Sequence, residues 1–323
     1  MSYSNSIAIK ELEPIYNNNG SRVEWRFEPN KIYSTNVLLA NIGADQQTAS
    51  TYNRLAGVAG IFDNIQLYDG NVELQSTQLV GFWVAWQQSR KSNSSLKSLQ
   101  SMLVGNARGN IWEGQDPQAG GGAGRNFGKS IRPFTMGTGN LLKSKTGKAS
   151  IYANEMLPIL NALPYLDTSV FKNLRLVVEY DMRASTIVRE NQNQPLSTIR
   201  PLLVVEEVID PDQVAAVQGK MGSLVYDNVE TDRNLLETLG TIAVDTEQTV
   251  NFHISSFNNK KVGKVLMWKQ SDLESNSRNV GGNADWGGSN GEYDSMGLFR
   301  ERTQIRVNGQ NLFAKSGIDK PNK

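Results

Sequence analysis

The chain has 323 residues, which is enough for two domains of ordinary size or one large β domain. It has no cysteine and one histidine, which excludes disulfides and cysteine-bound metal and leaves little for imidazole catalysis. The 33 basic and 32 acidic side chains give a net charge of +1 without a long run of one sign, which disfavours nucleic-acid binding. We find no signal-peptide or membrane-span pattern and expect a protein that folds in a cytosol.

The first third of the chain has the patterns of β-strands. Val23, Trp25 and Phe27 alternate with polar residues, as in a half-buried strand, and a second apolar run covers residues 37–42. Residues 61–68 and 71–74 alternate around Asp69-Gly70, a dipeptide that suits a type I′ turn. The sequence therefore predicts two strands followed by a β-hairpin.

The pattern changes between residues 78 and 103, where helical spacing begins. Leu79, Phe82, Trp83 and Trp86 fall on one helical face, which predicts a helix packed on a sheet. An aromatic platform for a ligand, or a helix lying on a membrane, would use the same face. Residues 105–139 are rich in glycine and lack periodicity, so we expect long surface loops there.

Strand patterns return in the second half of the chain. Residues 174–180 and 202–209 are continuous β-type runs, and the polar stretch between them suggests a domain joint near residues 190–220. Residues 249–254 and 262–268 predict a strand pair, and a last strand at 303–307 leads into Asn308-Gly309. The similar strand-into-turn units that end at Gly70 and Gly309 suggest a duplicated architecture.

Three features could carry chemistry, and each has a simpler structural interpretation. Residues 123–130 approximate a phosphate-binding loop, but no buried strand precedes them and Pro133 interrupts the helix that should follow. Asp285, Glu292 and Asp294 could supply oxygen ligands to calcium, but their spacing does not fit an EF-hand. His253 lies in a predicted strand with no second histidine. We assign no catalytic, cofactor-binding or metal-binding residue.

Five segments of the chain carry recognisable motifs. Three of them are an apolar strand meeting a glycine turn (residues 60–74), an Ala-Leu-Pro turn leading into a strand (residues 156–179), and a strand followed by an acidic helix start (residues 202–213). The other two are a strand pair ending in tryptophan (residues 250–268) and a Val-Asn-Gly turn before phenylalanine (residues 305–313). Taken in this order, the five segments resemble the double jelly-roll major capsid proteins of nucleocytoplasmic large DNA viruses. More distant similarity extends to tectivirus-like phages and adenovirus hexons.

The resemblance implies an all-β double jelly roll with short helices and long loops, the first roll in residues 1–210 and the second in residues 211–323. The family continues past the last of these turns, so we expect an abbreviated second roll, a fragment, or a different register. A family member is not an enzyme and has no cofactor. It assembles as pseudo-hexagonal homotrimers into the icosahedral shell of a virion, after synthesis in the host cytoplasm.

The resemblance also indicates the partners. They are other copies of the chain, within the trimer and between neighbouring trimers, with minor capsid or penton proteins and an internal membrane as further candidates. Neither a specific nucleic-acid sequence nor a small-molecule substrate is expected. Residues 105–139 and 279–295 would supply outer loops or intersubunit contacts.

Two other classes of function stay open. A β-sandwich that binds carbohydrate or attaches to a host could use the six tryptophans as stacking platforms. An ATPase would need residues 123–130, and its nucleotide affinity would depend on Lys129. Jelly rolls serve lectins and capsids alike, so the fold alone does not decide between them.

Overall fold

A computed structural model describes residues 6–18, 21–42, 58–90, 104, 149–180, 201–232, 251, 253–266 and 304–312. These residues form mainly antiparallel β-structure with few short helices. None of the helices among them is long and apolar enough to cross a membrane. The predicted all-β class is therefore confirmed for this part of the chain.

The first sheet is centred on β11 (Leu202–Val208). One edge of β11 pairs with β1, and the other edge pairs with both β5 and β4. On their far sides, β5 pairs with β8 and β4 pairs with β9. Every pairing is antiparallel. The bounds of these strands are β1 (Ile7–Leu12), β4 (Ile32–Tyr33), β5 (Leu38–Ile42), β8 (Ala149–Tyr152) and β9 (Leu166–Asp167).

The second sheet has the strand order β2-β3-β10-β6-β7, again antiparallel throughout. Its members are β2 (Tyr16–Asn18), β3 (Arg22–Arg26), β6 (Phe62–Asp69), β7 (Val72–Gln78) and β10 (Leu174–Tyr180). Predicted strands at residues 174–180 and 202–209 thus coincide with β10 and β11.

The pairings are nested, and this nesting defines the topology. The outermost strands β1 and β11 pair, as do β3 and β10 inside them, then β4 and β5 with β9 and β8, and finally β6 with β7. A long antiparallel ribbon that folds over itself in this way is a jelly roll, a double-sheet arrangement built from Greek keys. The described strands from β1 to β11 therefore form one jelly roll.

The core lies between the two sheets, as in a β-sandwich. Val23, Trp25 and Leu67 of the second sheet and Leu39 and Leu203 of the first are all buried in one hydrophobic cluster. The alternating residues on each strand face outward, so the period-2 pattern of the sequence is the pattern of this core. Phe27 and Tyr33 pack edge-to-face, with ring centroids 5.5 Å apart.

The predicted hairpin is present as β6 and β7, but its turn is one residue later than expected. Asp69 pairs with Val72, so the central residues are Gly70 and Asn71. Of these two only Gly70 has a positive φ, 60°, which is the pattern of a type II′ turn and not of type I′. Asp69 stays in the strand because it pairs with Leu174 and its carboxylate accepts the Asn173 N–H at 2.9 Å.

Helix α1 spans Val80–Arg90, and the predicted extension through residues 91–103 lies outside the described residues. Among its side chains whose burial is described, Val80 and Val84 are buried and Trp83 packs against the core cluster. The prediction that Leu79 belongs to the helix was therefore wrong, because Leu79 has a φ of 51° and the helix begins one residue later. The helix packs on the roll, as the first of the three interpretations expected.

Two shorter helices follow. Helix α2 spans Ile159–Ala162, and α3 spans Pro211–Val217. The acidic start expected after residue 210 is present, since the Asp210 carboxylate accepts the N–H groups of Asp212 and Gln213 as an N-cap. Single 3-10 turns cover Val58–Ile61 and Ala153–Glu155.

Residues 218–232, which follow α3 and are here named the return segment, contact the roll without forming a strand. The Tyr165 hydroxyl donates to the Val217 carbonyl at 3.0 Å, and the Gly219 N–H donates to Asp167 Oδ2 at 2.6 Å. Further along, Gln75 Nε2 donates to the Asp227 carbonyl at 2.8 Å. The return segment is therefore fixed to the roll by hydrogen bonds at both of its ends.

The strand pair predicted at residues 249–254 and 262–268 is wrong in its described part. Residue 251 and residues 253–266 contain a turn but no strand, and His253 is exposed and outside any strand. This stretch is attached by side chains instead: Lys260 Nζ lies 2.5 Å from Glu230 Oε1, and Lys264 lies over the Trp86 ring. Two cationic side chains thus connect this stretch to Glu230 and to Trp86 of α1.

The last predicted strand and turn are confirmed. Strand β12 (Arg306–Val307) pairs with β13 (Gln310–Asn311), and both Asn308 and Gly309 have positive φ, as a type I′ turn requires. The division into rolls at residues 1–210 and 211–323 stays a prediction.

Gln75 provides a test of how the return segment is held. Its Oε1 accepts the Ile159 N–H at 2.7 Å while its Nε2 donates to Asp227, and the residue is buried. Because Gln75→Leu leaves both backbone groups without their partner, we expect the free energy of unfolding in urea to fall by about 2 kcal/mol. Gln66→Leu, on an exposed part of the neighbouring strand, is the control. An equal loss in both variants would contradict the role assigned to Gln75.

Candidate assembly surface

The outer face of the first sheet carries aliphatic side chains where a solvated sheet usually carries polar ones. Register places Ile7 opposite Val208, and it aligns Val204 with Leu38 and Leu38 with Tyr152. Their neighbours in sequence, such as Leu203 and Val205, point into the core. The outer face is defined by Ile7, Ile9, Leu38, Ala40, Tyr152, Leu202, Val204 and Val208, with Glu11 and Glu206 among them.

Exposure on this face is greatest at β1. Ile9 is 75% exposed and Ile7 is 49% exposed. A contiguous exposed apolar patch on a folded protein commonly marks an interaction site. The outer face is therefore the candidate functional surface of this roll.

The edge of β1 adds unpaired backbone groups to this surface. The Ile209 N–H donates to the Ser6 carbonyl at 3.0 Å, so residues 8, 10 and 12 also direct their backbone groups toward β11. Residues 7, 9 and 11 consequently direct theirs away from the sheet. Among the described residues no strand pairs with this side of β1.

On the inner side, a cluster of charged residues holds β1 against β11. The Glu207 side chain is only 5% exposed, and it forms ion pairs with Lys10 and, at 2.8 Å, with Lys31. Lys10 also contacts Glu28 Oε2 at 3.2 Å. One glutamate thus connects β1, β11 and the residue before β4.

The cluster is held in its charged form. Burial by itself would raise the pKa of Glu207, but hydrogen bonds from Lys10 and Lys31 outweigh burial and hold that pKa below its ordinary value. The hydrogen bond to Glu207 in turn raises the pKa of Lys10. Burial raises the pKa of the adjacent Tyr33 to about 12, so this phenol stays neutral at physiological pH.

A second polar centre fixes the start of the return segment. Asp167 is buried; its Oδ1 accepts the Ser169 N–H and hydroxyl, and its Oδ2 accepts the Gly219 N–H. Burial opposes ionisation of Asp167, but these hydrogen bonds prevail and lower its pKa. Both polar centres are satisfied structural networks, and neither resembles a nucleophile with its general base.

The candidate sites predicted from sequence are not brought together in the described part of the chain. Residues 105–139, 123–130 and 279–295 lie outside it. Within it no group of three or more histidine, aspartate or glutamate side chains is placed to hold a metal ion. A shallow cleft is lined by Asp63, Asn64, Gln78, Glu179 and Thr231, none of them aromatic.

Sequence reasoning missed the most exposed part of this surface. Ile7 and Ile9 lie two positions apart, but the apolar Ala8 between them and the consecutive charges Lys10 and Glu11 break the alternation, so the segment has no clear period-2 signal. The charged cluster had no local signal either, because Lys10, Lys31 and Glu207 come from three separate segments.

Acid should weaken the roll through Glu207. A carboxylate whose pKa is lowered on folding stabilises the protein above its unfolded pKa, here about 4.5, and loses that contribution as the pH falls through the folded pKa. For the Glu207→Gln variant we expect the free energy of unfolding in urea at pH 7 to be about 2 kcal/mol lower than that of the parent chain. Below pH 4 the difference from the parent chain should shrink, as measured by urea titrations across pH.

Glu206→Gln is the matched control, because Glu206 lies on the outer face. An equal loss of stability in the Glu206 and Glu207 variants, or a difference that does not shrink in acid, would contradict the role of the cluster.

No protein-family model and no curated protein matches the sequence. Solved structures do match. PBCV-1 VP54, fitted into a reconstruction of the Sputnik virophage, aligns over 67% of this chain and 45% of its own length, with 9% identity and a TM-score of 0.34. A chain of the Sputnik virophage aligns over 64% of this chain and 48% of its own length, with 8% identity and a TM-score of 0.37. A chain of the PBCV-1 virus capsid aligns over 67% of this chain and 45% of its own length, with 9% identity and a TM-score of 0.31. The match spans less than half of each of these chains.

Proposed function

We propose that this protein is a structural subunit that assembles with copies of itself into the capsid of a virus. The observation that carries the proposal is a closed jelly roll with an aliphatic outer face and, at its rim, an open edge strand with an isoleucine that is 75% exposed. A roll with an apolar outer face and an unpaired strand edge suits a shell subunit, which must pack against its neighbours over a large surface.

The order of the capsid-like segments in the sequence extends the proposal to a second roll, a trimer and an icosahedral shell. A second roll in residues 211–323 would give a trimer a roughly hexagonal outline, and trimers of this shape can tile an icosahedral shell. The subunit would be made in the host cytoplasm and reside in the virion. Its partners would be other copies of the chain, together with minor capsid or penton proteins and an internal membrane.

The described residues favour a structural role over a catalytic one. Their buried acids, Glu24, Asp167 and Glu207, all have ion-pair or hydrogen-bond partners within the protein. Groups tied up in this way fix the fold and are poorly suited to proton transfer with a substrate. We therefore propose that the chain is not an enzyme and uses no cofactor.

The carbohydrate-binding alternative has weaker support. Trp83 and Trp86 lie 5.1 Å apart, as a pair of stacking rings would. However, Trp83 packs on the core cluster, and Lys264 covers the Trp86 ring at 5.3 Å from its centroid. A sugar ring would need a free aromatic face, and these two faces are occupied in part by the protein itself.

Self-assembly can be measured directly. We expect multi-angle light scattering across a concentration series to give three times the monomer mass, and electron microscopy of concentrated samples to show hexagonal arrays. A strict monomer at every concentration would overturn the proposal, and a glycan-binding screen would then be the appropriate next measurement.

A further inference from the structure

We infer that β1 is a self-association strand, which pairs antiparallel with β1 of a second copy about a two-fold axis at Ile9. The proposal deepens the proposed function, because it names a strand through which two copies of the chain make contact. It rests on the capsid role only for where such a contact would be used.

The first argument is the state of the edge. Backbone N–H and C=O groups of Ile7, Ile9 and Glu11 point away from β11, and no described residue pairs with them. A strand residue flanked on both edges exposes only its side chain on one face. The 75% exposure of Ile9 agrees with an open edge. Such an edge is a template for another strand.

The second argument is that the sequence of β1 is complementary to itself in one register. With Ile9 opposite Ile9 of the second copy, Ile7 faces Glu11 of that copy, and Ala8 faces its Lys10. All three outward-pointing residues then fall in hydrogen-bonded pairs, which is the condition for a regular antiparallel ladder. Apolar side chains meet at the axis, and no like charges lie directly opposite.

The third argument concerns Lys10, since inward-pointing charges often protect edge strands from pairing. Here the ammonium group is already engaged by Glu207 and Glu28 of its own chain. The charge is therefore compensated before a second copy arrives, and it does not block the edge. In the second sheet, by contrast, the return segment contacts the edge strand β7, where the Tyr226 hydroxyl donates to the Leu74 carbonyl.

Symmetry determines where this contact would serve. A strand that pairs with itself forms a two-fold, isologous contact, whereas the subunits of a trimer meet through heterologous contacts. In a shell, β1 would therefore join neighbouring trimers and not the subunits within one trimer. A contact this short is weak for an isolated pair of subunits and gains strength when many copies are held side by side.

A charge-swap experiment tests the register. Ile9→Lys and Ile9→Glu each place like charges at the two-fold axis, so each variant should self-associate about tenfold more weakly than the parent chain in sedimentation measurements. An equimolar mixture of the two variants should recover the association, because lysine then faces glutamate. Recovery is specific to the register in which residue 9 faces itself. Unchanged association in the single variants, or no recovery in the mixture, would overturn the proposal.

A cross-linking experiment gives a second readout that charge does not affect. The parent chain has no cysteine, so Ile9→Cys introduces a single thiol. Directly opposed residues in such a pair have Cα atoms about 5.5 Å apart, which is within reach of a disulfide. Mild oxidation should therefore produce a reducible covalent dimer. Val72→Cys is the matched control, since Val72 is 64% exposed at the hairpin end of β7.

The cross-linking result is separable from the test of the proposed function. Equal dimer yields from the Ile9→Cys and Val72→Cys variants would overturn the β1 contact, even if trimers and arrays form normally. A dimer from the Ile9→Cys variant alone, without trimers or arrays, would support the β1 contact and overturn the capsid role.

Discussion

The jelly roll depends on the pairing of its first strand, β1, with its last strand, β11. Strand β11 occupies the middle of the first sheet only because β1 covers one of its edges while β4 and β5 cover the other. Every other pair of the roll is enclosed within this one in sequence. The two ends of the ribbon must therefore meet to complete the first sheet, and loop-closure entropy opposes such non-local contacts unless burial of the core compensates for it.

The closed sandwich restricts where polar groups can lie. Several charged and amide side chains that enter the buried region are matched there by a partner. Glu24 accepts from Arg175 at 2.6 Å, and Gln75 satisfies two backbone groups of different segments. Since an unmatched polar group would cost more than the contact contributes, these residues also specify which segments meet. The return segment lies where it does for this reason.

Local patterns predicted the strands, and non-local contacts account for most of what was missed. Trp25 and its alternating neighbours predict β3, and Asn308-Gly309 predicts its own turn. Both signals are contained in a few consecutive residues. The turn at Gly70 was misplaced because Asn173, remote in sequence, holds Asp69 in the strand. Residues 262–266 have a strand-like composition but attach through Lys264, a contact with no local signature. The charged cluster around Glu207 could not be predicted either, because its members come from separate segments and have no local sequence signal.

That cluster also explains why the exposed isoleucines lie on the outside. Side chains alternate along a strand, so a slip of β1 by one residue against β11 would turn its inner set outward. Lys10 would then leave Glu207, and a buried carboxylate would lose one of its two cationic partners. Such a loss is far more costly than the exchange of one aliphatic residue for another at the surface. A buried ion pair therefore fixes the register, and the register presents Ile9 to the exterior as a contact point between copies.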